Sequence, residues 1–343
     1  MRVIFWGTPT YALPTLNALV NSGYDLVAVV TQPDRRRGRG KQLIPSPVKL
    51  RAIELGLSVF TPEKLRDDYE LQKELAKLNA DISIVVAFGQ ILPAEVLNQP
   101  LLGCWNGHGS LLPRWRGAGP IQWSILSGDK VTGVGIMAME EGLDTGPVLL
   151  QESIEIGLLE NANQLGKRLS ELTASLMIEA LLKIIASTSG QRLKHINQLN
   201  VTKQEQLEGK PTYARMLTKA DHIINWNHSA IDIHRKVMGL CPNAVTAWRG
   251  KRLKIITTEP LIEVLSKYLS KNVRPLIGRW QVDTNQPGTI LGFEPELGII
   301  VSTHDWPLLI RQAQLEGKGV AESRVLIQQL NPTIGEKLGN RSI

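Results

Sequence analysis

Three near-continuous apolar runs, at residues 3–6 (Val-Ile-Phe-Trp), 25–31 (Asp-Leu-Val-Ala-Val-Val-Thr) and 81–87 (Asp-Ile-Ser-Ile-Val-Val-Ala), limit what this chain can fold into. A strand with one wet face alternates apolar and polar residues, whereas a strand covered on both faces is apolar throughout. Stretches with helical spacing lie between the runs, at residues 11–21, 47–55 and 62–78. Pro47 suits the first turn of the second stretch, where its missing N–H costs nothing. A further strand candidate lies at 57–60, and others at 103–108, 131–139 and 148–156, with a helix near 120–126. This βαβα order predicts a Rossmann-like, doubly wound, mainly parallel sheet with helices on both faces. Leu165, Leu169, Leu172, Leu176, Ala180 and Ile184 then recur as one face of a long helix over 161–185.

Beyond that helix the pattern changes. Residues 187–210 are polar and lose periodicity, so 188–210 reads as a linker between a first domain at 1–187 and a second at 211–343. In the second, short β-rich runs at 254–258, 288–291, 298–302 and 308–314 are separated by Gly, Pro and Asn. They predict a smaller antiparallel, OB-like β-barrel domain. A total of 343 residues fits two domains. Trp226, Trp248, Trp280 and Trp306 are expected in its core, given the apolar area each ring buries.

Charge is distributed unevenly. Residues 210–343 hold 18 Lys+Arg against 11 Asp+Glu, which is the whole net excess of +7. Within the neutral remainder, residues 35–51 hold seven basic side chains and no acidic one. One short basic segment and one basic domain suit a large polyanion, though a solvated basic surface would look the same. Two cysteines, Cys104 and Cys241, lie far apart, which suits a reducing cytoplasm and no disulfide framework. No stretch reaches the roughly 18 apolar residues of a membrane span, and the N-terminal apolar run is too short for a signal peptide.

In a doubly wound sheet, ligands sit outside the carboxyl ends of the strands. One such end carries Asn106-Gly-His108, whose side chains share a face on extended backbone. An amide N–H and a charged imidazole side by side suit a developing oxyanion. Asp144 lies in a Gly-rich loop, and a carboxylate beside His108 would favour the imidazolium. The alternative is a strand-end pair satisfying loop backbone, with Asp144 making an Asx-turn. Spacing does not decide between them.

The stretch 104–120, in which Asn106-Gly-His108 precedes Ser110-Leu111-Leu112-Pro113, resembles the signature of folate-dependent formyltransferases, and Leu143-Asp144-Thr145-Gly146 resembles that family's second motif. The segment 31–49 resembles the basic loop of the members that act on tRNA. Residues 5–9, 87–93 and 315–318 also match those members, and the likeness runs through nearly the whole chain in the expected order. It implies the formyltransferase fold, with 1–187 as the catalytic domain. It also implies that Asn106, His108 and Asp144 are catalytic and that Ser110, Leu111, Leu112 and Pro113 help hold tetrahydrofolate. The donor would be 10-formyltetrahydrofolate and the acceptor initiator methionyl-tRNA. Asp144, or water that it holds, would take the amine proton. Arg35, Arg36, Arg37, Arg39 and Lys41 would clamp the tRNA through Arg–phosphate pairing, aided by the second domain. As an isolated run this segment is expected to be mobile. A cytoplasmic monomer without metal or membrane is implied. Gly109 and Gly135 depart from the pattern, and 259–285 reads as an insertion of no assigned function.

Other classes fit less well. A formyltransferase or formyl hydrolase for a small molecule would share the Asn–His–Asp set but would not need the basic features. A dinucleotide oxidoreductase would carry G-x-G-x-x-G where Gly7-Thr-Pro-Thr stands. A serine hydrolase would need a G-x-S-x-G elbow, a metal hydrolase clustered histidines. A non-catalytic nucleic-acid binder leaves Asn106 and His108 unexplained.

Overall fold

The computed structural model describes residues 1–37, 42–188 and 199–339. In chain order its first elements are β1 (Arg2–Gly7), α1 (Leu13–Asn21), β2 (Asp25–Val30), β3 (Arg35–Arg37), β4 (Gln42–Ile44), α2 (Pro47–Glu54), β5 (Val59–Phe60), α3 (Tyr69–Lys77) and β6 (Ile82–Val86). There follow α4 (Ala94–Leu97), β7 (Cys104–His108), β8 (Arg116–Gly117), α5 (Pro120–Leu126), β9 (Val131–Ala138), β10 (Val148–Glu155), α6 (Ala162–Thr188) and β11 (Tyr213–Ala214). The helices start where the chain supplies caps. The Ser46 hydroxyl accepts the Lys49 N–H at 2.9 Å with Pro47 next to it, and Asp68 accepts the Leu71 N–H at 3.1 Å.

Seven strands form one sheet in the order β10-β9-β7-β6-β1-β2-β5. Pairing is parallel from β5 through β2, β1 and β6 to β7, and β9 then runs antiparallel to β7. β1 and β6 are buried on both faces, as their apolar runs require. Ile4, Trp6, Val30, Val85 and Phe88 pack one face together with Leu65, Leu75 and Val96. On α6 the buried residues include Leu169, Thr173, Leu176, Met177, Ala180, Leu181 and Ile184, while Leu172 is half-buried. The buried face is therefore turned slightly from the expected one. Gly107 shows why: a Cβ there would stand 2.5 Å from Thr173 Cγ2, so α6 crosses β7 where a side chain is missing.

The basic segment is not structureless. β3 and β4 pair antiparallel, Arg35 opposite Ile44 and Arg36 opposite Leu43. An antiparallel ladder satisfies backbone groups without a buried core, which is how a run of arginines becomes a strand. Lys49 and Asp34 pair at 2.8 Å beside its base. Gly38, Arg39, Gly40 and Lys41 lie outside the described residues, as does the side chain of Arg37.

Two compact units emerge: Met1–Pro120 with Val131–Ile154 and Gly166–Arg215, and Ile121–Lys130 with Glu155–Leu165 and Met216–Ile343. The first extends well past residue 187. Its residues 199–215 fall largely in the segment read as a linker, yet they hold a folded course along it. Thr202 and Val148 exchange two 2.8 Å backbone bonds, Leu207 packs on Leu112, Met137 and Val148, and β11 pairs parallel with β8. Within 199–210 Leu199 and Gln204 are buried, while Asn200, Lys203, Glu205, Gln206, Glu208 and Lys210 are exposed, so the stretch shows no apolar period. Residues 189–198 of that segment lie outside the described residues.

The second unit adds α7 (Ala230–Gly239), β12 (Val245–Trp248), β13 (Lys251–Pro260), β14 (Ile290–Glu294), β15 (Gly298–Val301), β16 (Leu308–Leu315), β17 (Val320–Glu322) and α8 (Ser323–Leu330). The strands are antiparallel in the order β12-β13-β16-β15-β14, with β17 also on β16. Residues 263–268 and 274–276 of the insertion form short 3-10 turns, and Leu269, Val273 and Leu276 join a core with Leu261, Ile300 and Leu309. Trp226 and Trp248 are buried as expected, and Trp280 is half-buried in the same core. Trp306 is exposed, contrary to expectation.

Candidate functional site

β7 ends beside the C-terminal edge of β6, with Val85 opposite Asn106 in the ladder. Across from it on β9, Met137 faces Asn106 and Gly135 faces His108. Asn106 and His108 are both buried, at 9% and 6% exposure.

The structure brings the three sequence-predicted residues together. One carboxylate, Asp144, serves both of the others. Asn106 Nδ2 donates to its Oδ1 at 3.4 Å, and His108 Nδ1 stands 3.7 Å from its Oδ2. The Gly117 N–H donates to Oδ2 at 2.8 Å. Asp144 adopts φ +51°, a left-handed conformation that a short polar side chain tolerates better than most. Gly146, two residues on, passes so close to the Ala138 carbonyl that a Cβ would collide with it. The loop is thus pressed against β9, and Asp144 turns back over β7.

His108 has a fixed orientation. Its Nε2 lies 2.8 Å from the Trp115 carbonyl oxygen, which can only accept, so Nε2 carries the proton. Nδ1 is the edge left to face Asp144 and anything bound beside it. In the neutral ring that edge accepts. In the imidazolium it donates.

The four residues expected to hold folate turn mostly inward. Ser110 is fully buried and its hydroxyl donates to the Arg114 carbonyl at 2.6 Å. Leu112 is buried against Met137 and Val148, Pro113 is buried, and Leu111 is half-buried. Their side chains shape the 109–115 turn that delivers the Trp115 carbonyl to His108. At Gly135 a Cβ would meet Gln151 and the Ser110 carbonyl at 3.5–3.6 Å, ordinary contact distances, so packing does not demand glycine there. Beside the pair, the loop after β6 begins with Ala87 at φ +50° and exposes Ile91, and its Phe88 carbonyl accepts from the Thr8 hydroxyl at 2.7 Å. Loops after β1, β6 and β7 therefore meet at one edge of the sheet.

Sequence reasoning missed the Trp115 carbonyl and the Gly117 N–H because both are backbone groups that no side-chain pattern marks. It also missed Gln204. Among the described residues no three His, Cys, Asp or Glu side chains gather in a group that could hold a metal ion. No described helix is long and apolar enough to cross a membrane. On the basic hairpin, Arg36 is exposed and Arg35 donates to Gln32 Oε1 at 3.1 Å.

A doubly wound sheet carrying an amide, an imidazole and a carboxylate at its switch to an antiparallel strand agrees with what comparison with known proteins finds. The formyl transferase profile matches residues 1–181, and the profile of the formyl transferase C-terminal domain matches 216–331. The chain belongs to the formyl transferase family. Within it, the sequence is 64% identical to methionyl-tRNA formyltransferase of Prochlorococcus marinus (strain MIT 9313), over 98% of each chain. It is 58% identical to methionyl-tRNA formyltransferase of Synechococcus sp. (strain CC9311), over 100% of each. Among solved structures the fold is similar to WlaRD, a sugar 3N-formyl transferase crystallised with dTDP and 5-N-formyl-THF. The TM-score is 0.60 at 17% identity, covering 93% of this chain and 99% of that one.

Proposed function

We propose that this chain transfers the formyl group of 10-formyltetrahydrofolate to the α-amino group of initiator methionyl-tRNA. One observation carries the chemistry: a single carboxylate, Asp144, reaches toward Asn106 Nδ2 and His108 Nδ1 while His108 Nε2 is held by the Trp115 carbonyl. The kinship with methionyl-tRNA formyltransferases supports the choice of acceptor.

The amine nitrogen attacks the formyl carbon, and a C–N bond forms as the carbonyl π pair moves onto oxygen. Asn106 donates to that oxyanion through the amide N–H not directed at Asp144. The imidazolium of His108 donates through Nδ1, since Nε2 is engaged elsewhere. Such donors typically matter by about 10²–10³ in rate each. Asp144 keeps His108 oriented, and it or a water it holds takes the proton from the attacking amine. The oxyanion then re-forms the carbonyl, the bond from carbon to folate N10 breaks, and N10 takes a proton.

Folate binds at the edge where the loops after β1, β6 and β7 meet. Because Ser110 and Leu112 point inward, the 110–113 turn contributes its backbone and Leu111. Arg35, Arg36, Arg37, Arg39 and Lys41, together with the basic 211–343 region, grip the tRNA backbone. The chain works as a cytoplasmic monomer in this reading. The decisive assay supplies 10-formyltetrahydrofolate with either methionyl-tRNA or free methionine and follows formyl transfer. Equal transfer to free methionine would overturn the tRNA acceptor. Undiminished activity in Asn106→Ala or His108→Ala would overturn the mechanism.

A further inference from the structure

Gln204 lies well outside the strands that carry the catalytic groups, in a segment whose sequence reads as a linker. It is nonetheless 4% exposed, and all of its side-chain bonds go to the loops that meet at the site. Its amide Nε2 donates to the Asp144 carbonyl and to the Gly146 carbonyl, both at 2.8 Å. Its Oε1 accepts from Arg116 Nε at 3.0 Å. Asp144 and Arg116 head the two loops that touch when the Gly117 N–H meets Asp144 Oδ2. Gln204 thus bridges the two loops on which the site depends.

The chain around Gln204 continues the same pattern. The Thr212 hydroxyl accepts the Trp115 N–H at 2.9 Å, and its carbonyl accepts the Arg116 N–H at 2.8 Å. The Ala214 carbonyl accepts the Ala118 N–H at 2.9 Å. Trp115, at φ +61°, is the residue whose carbonyl fixes His108 Nε2. A left-handed residue that is not glycine persists where its surroundings over-determine it. Trp115 and Asp144 both meet that description, and residues 204–214 supply bonds to each.

We propose that Gln204 is a positioning residue for formyl transfer, acting through the main chain of Asp144, with Thr212 doing the same for the Trp115 turn. The inference rests on the formyl-transfer reading of the site. An amide suits the role and a carboxylate does not. Two carbonyl oxygens converge on one NH₂, whose two hydrogens satisfy both, while the amide oxygen meets a guanidinium. Displacing a catalytic group by about 1 Å costs on the order of 10²-fold in rate. Substrate binding, which does not use Gln204, is left in place.

The test uses the full chain and three variants. Gln204→Met keeps the volume and loses all three bonds. Gln204→Glu keeps an acceptor for Arg116 and sets oxygen against oxygen at the two carbonyls. Both should lower kcat by about 10- to 100-fold and leave KM for 10-formyltetrahydrofolate and for methionyl-tRNA within about twofold. Combined with Asp144→Asn, Gln204→Met should add less than about threefold, because its effect passes through Asp144. Hydrogen exchange gives a readout besides activity. The 112–119 amides, Gly117 among them, should exchange faster in Gln204→Met while those of β6 stay protected. Should Gln204→Met not fold, Thr212→Val carries the same kinetic and exchange test. A Gln204→Met chain with wild-type kcat, or one whose loss multiplies fully with that of Asp144→Asn, overturns the proposal. A wild-type chain that fails to formylate methionyl-tRNA overturns the functional reading instead.

Discussion

His234 offers a sharp energetic test of the second unit. It sits on α7, fully buried, with Nε2 2.8 Å from the Leu158 carbonyl and Nδ1 2.9 Å from the Thr258 hydroxyl. The carbonyl can only accept, so Nε2 carries the proton and Nδ1 accepts from Thr258 in the neutral ring. Burial, with the neighbouring Arg235 charge adding to it, pushes the imidazole from an ordinary 6.5 down to about 4. Between those values the unfolded chain binds a proton that the folded chain refuses. The stabilisation is therefore complete above pH 6.5 and is lost as pH falls toward 4. At 1.36 kcal/mol per unit the whole window is worth about 3 kcal/mol. Urea unfolding of wild type and His234→Gln, each at pH 7.5 and at 4, isolates this contribution because every carboxylate titrates in both. Wild type should lose about 3 kcal/mol more than the variant across that window. Equal losses would refute the reasoning, and a smaller wild-type loss would reverse its sign.

Other outcomes follow from single features. Asp144→Asn keeps a residue that tolerates φ +51° but removes the charge facing His108, so kcat should fall by about 10²-fold or more with circular dichroism unchanged. Gly107→Ala sets a methyl 2.5 Å from Thr173 Cγ2 and should destabilise by about 1–3 kcal/mol. Thr173→Ser, which keeps the hydroxyl bonded to Tyr11 and Leu169, should restore part of that in a thermal melt. Alanine at Arg36, Arg37, Arg39 and Lys41 together should raise KM for tRNA and flatten its salt dependence while KM for folate holds. Burial pushes the Cys104 thiol up to about 12 and raises that of the half-buried Cys241 less far. Alkylation of native protein at pH 8 should therefore mark Cys241 first, as peptide mapping would show.

The legible parts of this chain were those that bury on a period. β1, β2, β6 and α6 each announce themselves because water is excluded from one face or both, and composition must follow. Asn106 and His108 were legible as a pair because a strand places residues two apart on one face. Their link to Asp144 was not, since it depends on where a left-handed turn aims a side chain. The β3–β4 hairpin escaped notice because its ladder is held by backbone bonds while arginines occupy the strand. α7 was missed for a related reason: a buried histidine interrupts its short apolar stripe. Gln204 left no trace at all, because a glutamine in a polar stretch is ordinary until its partners are known.

The order in which these pieces leave the ribosome gives the 199–214 stretch a further meaning. A nascent chain that has emerged through β10 and α6 already contains every strand of the seven-stranded sheet and all three residues of the site. It still lacks the partners of the Asp144 and Gly146 carbonyls and of the Trp115 and Arg116 N–H groups. Buried polar groups left unpaired cost about 1–3 kcal/mol apiece, so such a chain would hold its sheet and leave its loops unset. The loops that hold the site are thus set by residues that follow every strand of the sheet in the chain.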